Sequence, residues 1–193
     1  MELIDKLKEE IRTQGLDIKS RQARAWINKL IRGSIRVTPR SIIQNNKHIS
    51  RRPTLGKMYF FYYDPKLKQK LPFYDRFPLC IPIYYYEDGF LGLNLHYLPL
   101  NYRMLLLSNM YRYLNNTKMD NSTRIKLTYY LIKRMRRLRY AKPCIKRYLT
   151  YHINSPMVEV SADEFEYAIL LPVERFVGNT KRNIYDQSVE RVI

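Results

Sequence analysis

Residues 57–65, KMYFFYYDP, and residues 71–100, LPFYDRFPLCIPIYYYEDGFLGLNLHYLPL, decide the fold. The first run consists of β-formers and stops at Asp64-Pro65, because proline lacks the N–H a sheet ladder needs. In the second, Pro72, Pro78 and Pro82 punctuate short β-like runs, and Glu87-Asp88-Gly89 supplies turn chemistry before Phe90 to Leu95. Hairpin geometry is expected around Asp88-Gly89, with two or three strands beyond the first. The stretch from 56 to 98 therefore reads as a small, mainly antiparallel β-unit.

After Pro99 the apolar period changes to that of a helix. Residues 100–114, LNYRMLLLSNMYRYL, predict one helix, and 115–122 a turn with an N-cap at Asn121 or Ser122. A second helix is expected over 123–140 and a third from Pro143, a favoured first-turn residue, to Ile153. Met157 to Val160 reads as a short strand. Ser161-Ala-Asp-Glu164 matches a capping box that starts a helix running to Leu171, before Pro172 stops it.

Upstream, Leu3, Ile4, Leu7 and Ile11 mark an amphipathic helix over 1–14, ended by Gly15. Ala23, Trp26, Ile27, Leu30 and Ile31 mark another over 20–32, with Ser20 as its N-cap. Residues 33–56 read as an extended basic linker, and the last fifteen residues as a polar tail ordered only by a partner. The fold class is α+β: a small, mainly antiparallel β-unit packed against several helices, with an N-terminal helical and extended arm. The expected division is 1–55 for arm and linker, 56–177 for the core domain and 178–193 for the tail.

A chain of 193 residues with 46% hydrophobic content can build a core, which excludes a rod or a wholly disordered tail. Its 18 tyrosines against one tryptophan suit half-buried packing at cores and interfaces alike. The opening MELIDKLKEE has no apolar core of a signal peptide, and no run approaches the ~18 apolar residues of a membrane span. No membrane association is expected. Cys80 and Cys144 form no CxxC pair, so neither a disulfide framework nor a zinc site is read.

The net charge of +18 is uneven. Residues 1–56 carry 13 Lys and Arg against 5 acids, and residues 106–153 carry 12 against the single Asp120. The tyrosine-rich middle, 57–105, holds 6 against 4, and 154–193 holds 4 against 7. Within the second basic block, Lys126, Tyr130, Lys133, Arg134 and Arg137 share one face of the expected helix, opposite Ile125, Tyr129, Ile132 and Met135. Such a cationic ridge can track phosphates. A solvated face, or one set against an acidic protein surface, explains it as simply. Arg32, Arg36, Arg40, Lys47, Arg51 and Arg52 belong to the linker, which would wrap a neighbouring subunit or reach nucleic acid.

Catalytic chemistry finds little footing. A metal-dependent nuclease would use Asp75 with Glu87, yet no lysine stands at the customary spacing, and Asp64 and Asp88 are turn residues. His48, His96 and His152 form no HxxxH or HExxH pattern, and His96 reads as a structural histidine. Gly89 and Gly92 read as turn and close-packing glycines. No catalytic residue, cofactor, metal or small-molecule substrate is expected.

The segments GKMYFFYYDPKLKQKLPFYDRFPLCIPI, DGFLGLNLHYLP, AKPCIKRYLTYHINSP and LPVERF together resemble a family of virion proteins of contractile-tailed bacteriophages, some of them labelled DNA end protectors. The resemblance spans 55–177. It implies a non-enzymatic particle component, found in the virion and in the host cytoplasm during assembly, and transfers no catalytic residue. Two readings follow. In the first the chain is a structural subunit of the tail, baseplate or neck, contacting other phage virion proteins through its arm and tyrosine-rich surface. In the alternative it binds double-stranded DNA at genome ends, with the ridge and Arg36, Arg40, Arg51 and Arg52 on phosphates.

Overall fold

Tyr59, Cys80 and Asn94 lie on successive strands of one antiparallel sheet, paired in that order. A computed structural model of the chain describes residues 2–34, 37–45, 48–114 and 139–192. Its strands are β1 (Ile49–Ser50), β2 (Met58–Phe60), β3 (Tyr74–Asp75), β4 (Leu79–Tyr86), β5 (Gly89–Asn94), β6 (Ile145–Leu149), β7 (Met157–Val160) and β8 (Phe176–Val177). The main sheet runs β1-β7-β2-β4-β5-β6, and β3 pairs with β8 in a separate two-stranded ribbon. Every pairing is antiparallel. The helices are α1 (Glu2–Thr13), α2 (Arg21–Ser34), α3 (Pro39–Asn45), α4 (Leu100–Leu114), α5 (Phe165–Leu170) and α6 (Lys181–Glu190). The class is α+β.

The period of two sorts side chains to opposite faces of the sheet. Met58, Phe60, Leu79, Ile81, Leu93 and Val158 join the helices in the larger core. Tyr59, Phe61, Cys80, Phe90 and Tyr148 form a smaller aromatic cluster on the other side. Ile4, Leu7 and Ile11 of α1 and Ala23, Ile27 and Ile31 of α2 bury into the larger core, so the N-terminal helices pack rather than project. Each of these leucines and isoleucines contributes about 1.5–3 kcal/mol on burial. As expected, Gly15 follows α1 with φ of +65°, and Ser20 Oγ caps α2 by accepting from Ala23 N at 3.0 Å.

Four expectations need correction. The extended linker over 33–56 contains α3, started by Pro39 behind Thr38, whose Oγ1 accepts from Ser41 N at 3.1 Å, and then β1, paired with β7. Proline at a first helical position and a threonine cap are the local cause. Pro82 does not interrupt a strand; it lies inside β4, where the register shifts between Pro82 and Tyr84. The helix expected from Pro143 to Ile153 is instead a 3-10 turn over Arg139–Cys144 and then β6 along the edge of β5. There, pairing with the sheet overrides the helical reading.

The fourth concerns 178–193, which is no free tail. Thr180 Oγ1 accepts from Asn183 N at 3.2 Å to cap α6, and Ile184, Tyr185, Ser188 and Val192 face inward. The capping box at Ser161 forms as expected, leading through a 3-10 turn into α5. The helix expected over 123–140 lies outside the described residues up to 138.

Candidate functional site

The ribbon of β3 and β8 is held by the carboxylate of Asp75. Its Oδ1 accepts from Phe77 N at 3.0 Å and Arg175 N at 3.1 Å. Oδ2 accepts from Asn94 Nδ2 at 3.2 Å and His96 Nδ1 at 2.8 Å. Burial pushes the Asp75 carboxyl up, but the His96 ring and the two backbone donors outweigh it and hold the carboxyl below its ordinary range. Both side chains are fully enclosed, at 0% exposure. His96 is structural, as its sequence context indicates.

A second buried network ties α4 to the C-terminal elements. The Arg103 guanidinium donates to Leu98 O at 2.8 Å, Ile169 O at 3.0 Å and His96 O at 3.3 Å. It also donates to Glu174 Oε1, and to the Tyr185 hydroxyl at 2.7 Å. Tyr185 donates in turn to Glu174 Oε1 at 2.8 Å, and Lys181 Nζ donates to Oε2 at 2.6 Å. Burial would raise the Glu174 carboxyl, yet Arg103 leads the surrounding cations in holding it well below the carboxylate range. Since His96 accepts from Arg103 through its carbonyl and donates to Asp75 through its ring, the two networks share one residue.

Beside Asp75 opens a half-open groove of about 700 Å³, between the 64–73 loop, β3, β6 and the end of α6. Tyr63, Tyr97 and Tyr148 line it as buried rings, and Phe73 and Tyr74 as half-buried ones. The Phe73 and Tyr97 rings lie 6.0 Å apart. Four cations line it as well: Lys66, Lys146, Arg147 and Arg191. Lys146 Nζ sits 4.0 Å from the centroid of the Tyr97 ring, a cation–π contact. Arg147 is paired with Asp88 across the hairpin end.

Lys66, Lys146 and Arg191 have no carboxylate partner among the described residues. Burial is the main cause that holds the Lys146 ammonium below its ordinary pKa, and the neighbouring Arg191 charge adds to it. Leu67 and Leu71, 56% and 42% exposed, edge the same groove. The arrangement offers rings, exposed leucines and uncompensated positive charge together. It suits a ligand that is planar at one end and anionic at the other.

The residues singled out in the sequence lie elsewhere. Arg40 on α3, and Arg51 and Arg52 after β1, are exposed and unpaired among the described residues. Arg36, Lys126, Tyr130, Lys133, Arg134 and Arg137 lie outside the described residues. Lys66, Lys146 and Arg191 escaped notice, although the lysine run KLKQK at 66–70 was the available signal. Asp75 and Glu87 do not form a nuclease pair, since Asp75 is buried in its network and Glu87 is exposed in the β4–β5 turn. Among the described residues no three of His, Cys, Asp and Glu cluster as metal ligands. Cys80 and Cys144 are buried free thiols, and burial pushes Cys144 up to about 12. No helix among the described residues is long and apolar enough to cross a membrane.

Comparison with models of known families matches residues 2–191 to one described as phage T4 terminal DNA protecting protein. No curated protein matches the chain, and no solved structure does.

Proposed function

Because the chain belongs to the family of the phage T4 terminal DNA protecting protein, we propose that it is a DNA-binding virion protein that covers the ends of the phage genome without catalysis. The observation that carries this reading is the groove, where Lys66, Lys146 and Arg191 stand beside aromatic rings with no carboxylate partner among the described residues. Positive charge kept uncompensated at a concave surface favours a polyanion. Arg40, Arg51, Arg52 and the ridge of Lys126, Tyr130, Lys133, Arg134 and Arg137 would then lie along backbone phosphates. Such contacts position the protein without reading sequence, which suits a ligand defined by being an end.

Protection by coverage needs no reactive group. A protein seated on the terminal base pairs blocks an exonuclease sterically, and Asp75 and His96, enclosed in the core, take no part. The test compares linear duplex DNA with the same duplex closed by hairpins at both ends. Tighter binding to the open form, steeply weakened by salt, and slower digestion by an added exonuclease are expected. Equal affinity for both forms would refute end recognition.

One observation favours a second role, contact with other virion proteins. Tyr84, Tyr85 and Tyr86 are all exposed at the end of the β4–β5 hairpin, and Tyr151 is 94% exposed nearby in sequence to β6. Outward tyrosines suit protein interfaces. Replacing Tyr84, Tyr86 and Tyr151 with serine should leave DNA binding intact and lower incorporation into particles. Normal incorporation would argue against the role.

A further inference from the structure

We propose that the groove takes an unpaired terminal nucleotide, with its base against Phe73 and Tyr74 and its phosphate beside Lys146 and Arg191. The inference rests on the end-binding reading and names what the end presents. Inside a duplex each base is stacked on both sides, and a ring-lined groove gains nothing from it unless the base is first extruded. At an end the last pair is stacked on one side only, and an overhanging base is free. Aromatic rings in a concave site therefore discriminate an end from the body of the duplex, whereas cations alone do not.

The chemistry of the walls selects the ligand. A free phosphate would use Lys66, Lys146 and Arg191 and leave the rings idle, and an apolar ligand would use the rings and leave three cations idle. A nucleotide uses both. A groove of about 700 Å³ lies within the size range of sites that enclose one small ligand, and does not admit a duplex. Lys146 is well placed for the phosphate. Its ammonium is fixed over Tyr97, half-buried beside the charge of Arg191, and without a carboxylate among the described residues. An entering anion relieves that repulsion. The exposed Leu67 and Leu71 give the sugar and base an apolar edge at the mouth.

The test uses the full chain and three synthetic DNAs: a duplex with short single-stranded overhangs of either polarity, a blunt duplex and a duplex closed at both ends. 2-Aminopurine is placed at the terminal or at an internal position. Overhang binding should exceed blunt binding, and only the terminal probe should change its emission. Phe73→Ala and Tyr74→Ala should each weaken overhang binding by about 5- to 150-fold, the range of a lost base–aromatic stack. Lys66→Gln and Arg191→Gln alter exposed side chains that hold no partner among the described residues, so they report on the site even if a ring variant fails to fold. Each should weaken overhang binding and reduce its salt slope by about 0.7.

An unchanged terminal probe, or Lys66→Gln and Arg191→Gln variants that bind overhangs like the parent, would overturn the nucleotide site while end binding stands. Failure of the parent to prefer any open end would instead remove the end-binding reading. Displacement of the overhang by polyglutamate at equal charge concentration would overturn the nucleotide in favour of an acidic peptide.

Discussion

Replacing Arg103 with leucine should destabilise the protein by about 3–5 kcal/mol, the usual cost of breaking a buried ion pair by removing one partner. The guanidinium makes five hydrogen bonds in a fully buried setting, three of them to the backbone carbonyls of His96, Leu98 and Ile169. Each buried carbonyl left without a donor costs about 1–3 kcal/mol. Simple addition would overshoot, because Glu174 keeps Tyr185 at 2.8 Å and Lys181 at 2.6 Å, and small shifts can satisfy part of the rest. Against the ~5–15 kcal/mol that holds a typical domain together, the loss is large. Urea unfolding at pH 7 measures it. Removing Glu174 as well, in the Arg103→Leu, Glu174→Leu double variant, should recover part of the loss, since no buried carboxylate oxygen is then left without its guanidinium. A single-variant loss below about 1 kcal/mol, or a double variant no better than Arg103→Leu, would refute the account of this network as a paired, enclosed charge.

Acid should unfold the chain through the same groups. The folded-state pKa values of Asp75 and Glu174 lie below their ordinary 3.8 and 4.5, so their stabilisation is present above those values and is lost as pH falls through them. Urea midpoints at pH 7 and about pH 3.5 should show the fall, and Glu174→Gln should flatten it. Gly92→Ala would place its Cβ 2.2 Å from Cys80 Sγ and 3.3 Å from the Phe90 and Tyr148 rings, and a loss of about 1–3 kcal/mol is expected from thermal melts. Arg51→Gln with Arg52→Gln should leave the melting temperature unchanged and lower the salt slope of duplex binding by about 1.8, two phosphates' worth. Reversing the charge of Lys133, Arg134 and Arg137 should abolish that binding, and full retention at low salt would place the ridge against something other than DNA.

Where local chemistry decides an element, the sequence was sufficient. Residues 100–114 carry a helical period between a proline and a polar stretch of sequence, and α4 has those bounds. Met157–Val160 and the Ser161 capping box were readable for similar reasons. Elements decided by distant partners were not. Ile145–Leu149 has helix-compatible residues and becomes a strand because the edge of β5 is open to it. The α6 segment looked polar because half of its face meets solvent, while Ile184, Tyr185, Ser188 and Val192 carry the inward stripe. The groove was hidden by averaging. Its cations come from three separate stretches, and in the first, residues 57–105, Lys66 and Lys70 are offset by Asp64 and Glu87, which do not line the groove. Only folding sets Lys66, Lys146 and Arg191 around one opening.

The joining of the two ends of the chain bears on how it is made. Leu3 N donates to Glu166, 163 positions away, and Arg24 pairs with Asp186, 162 positions away. At the ~5–20 residues per second of synthesis, the apolar stripes of α1 and α2 wait roughly 10–30 s for the segments that cover them. A nascent chain of this topology therefore emerges with unfinished sticky surfaces, and contacts so distant in sequence close slowly even after release. The yield of this protein would be limited by how well those early helices are shielded during synthesis, so faster translation or higher temperature should cost soluble yield before it costs stability.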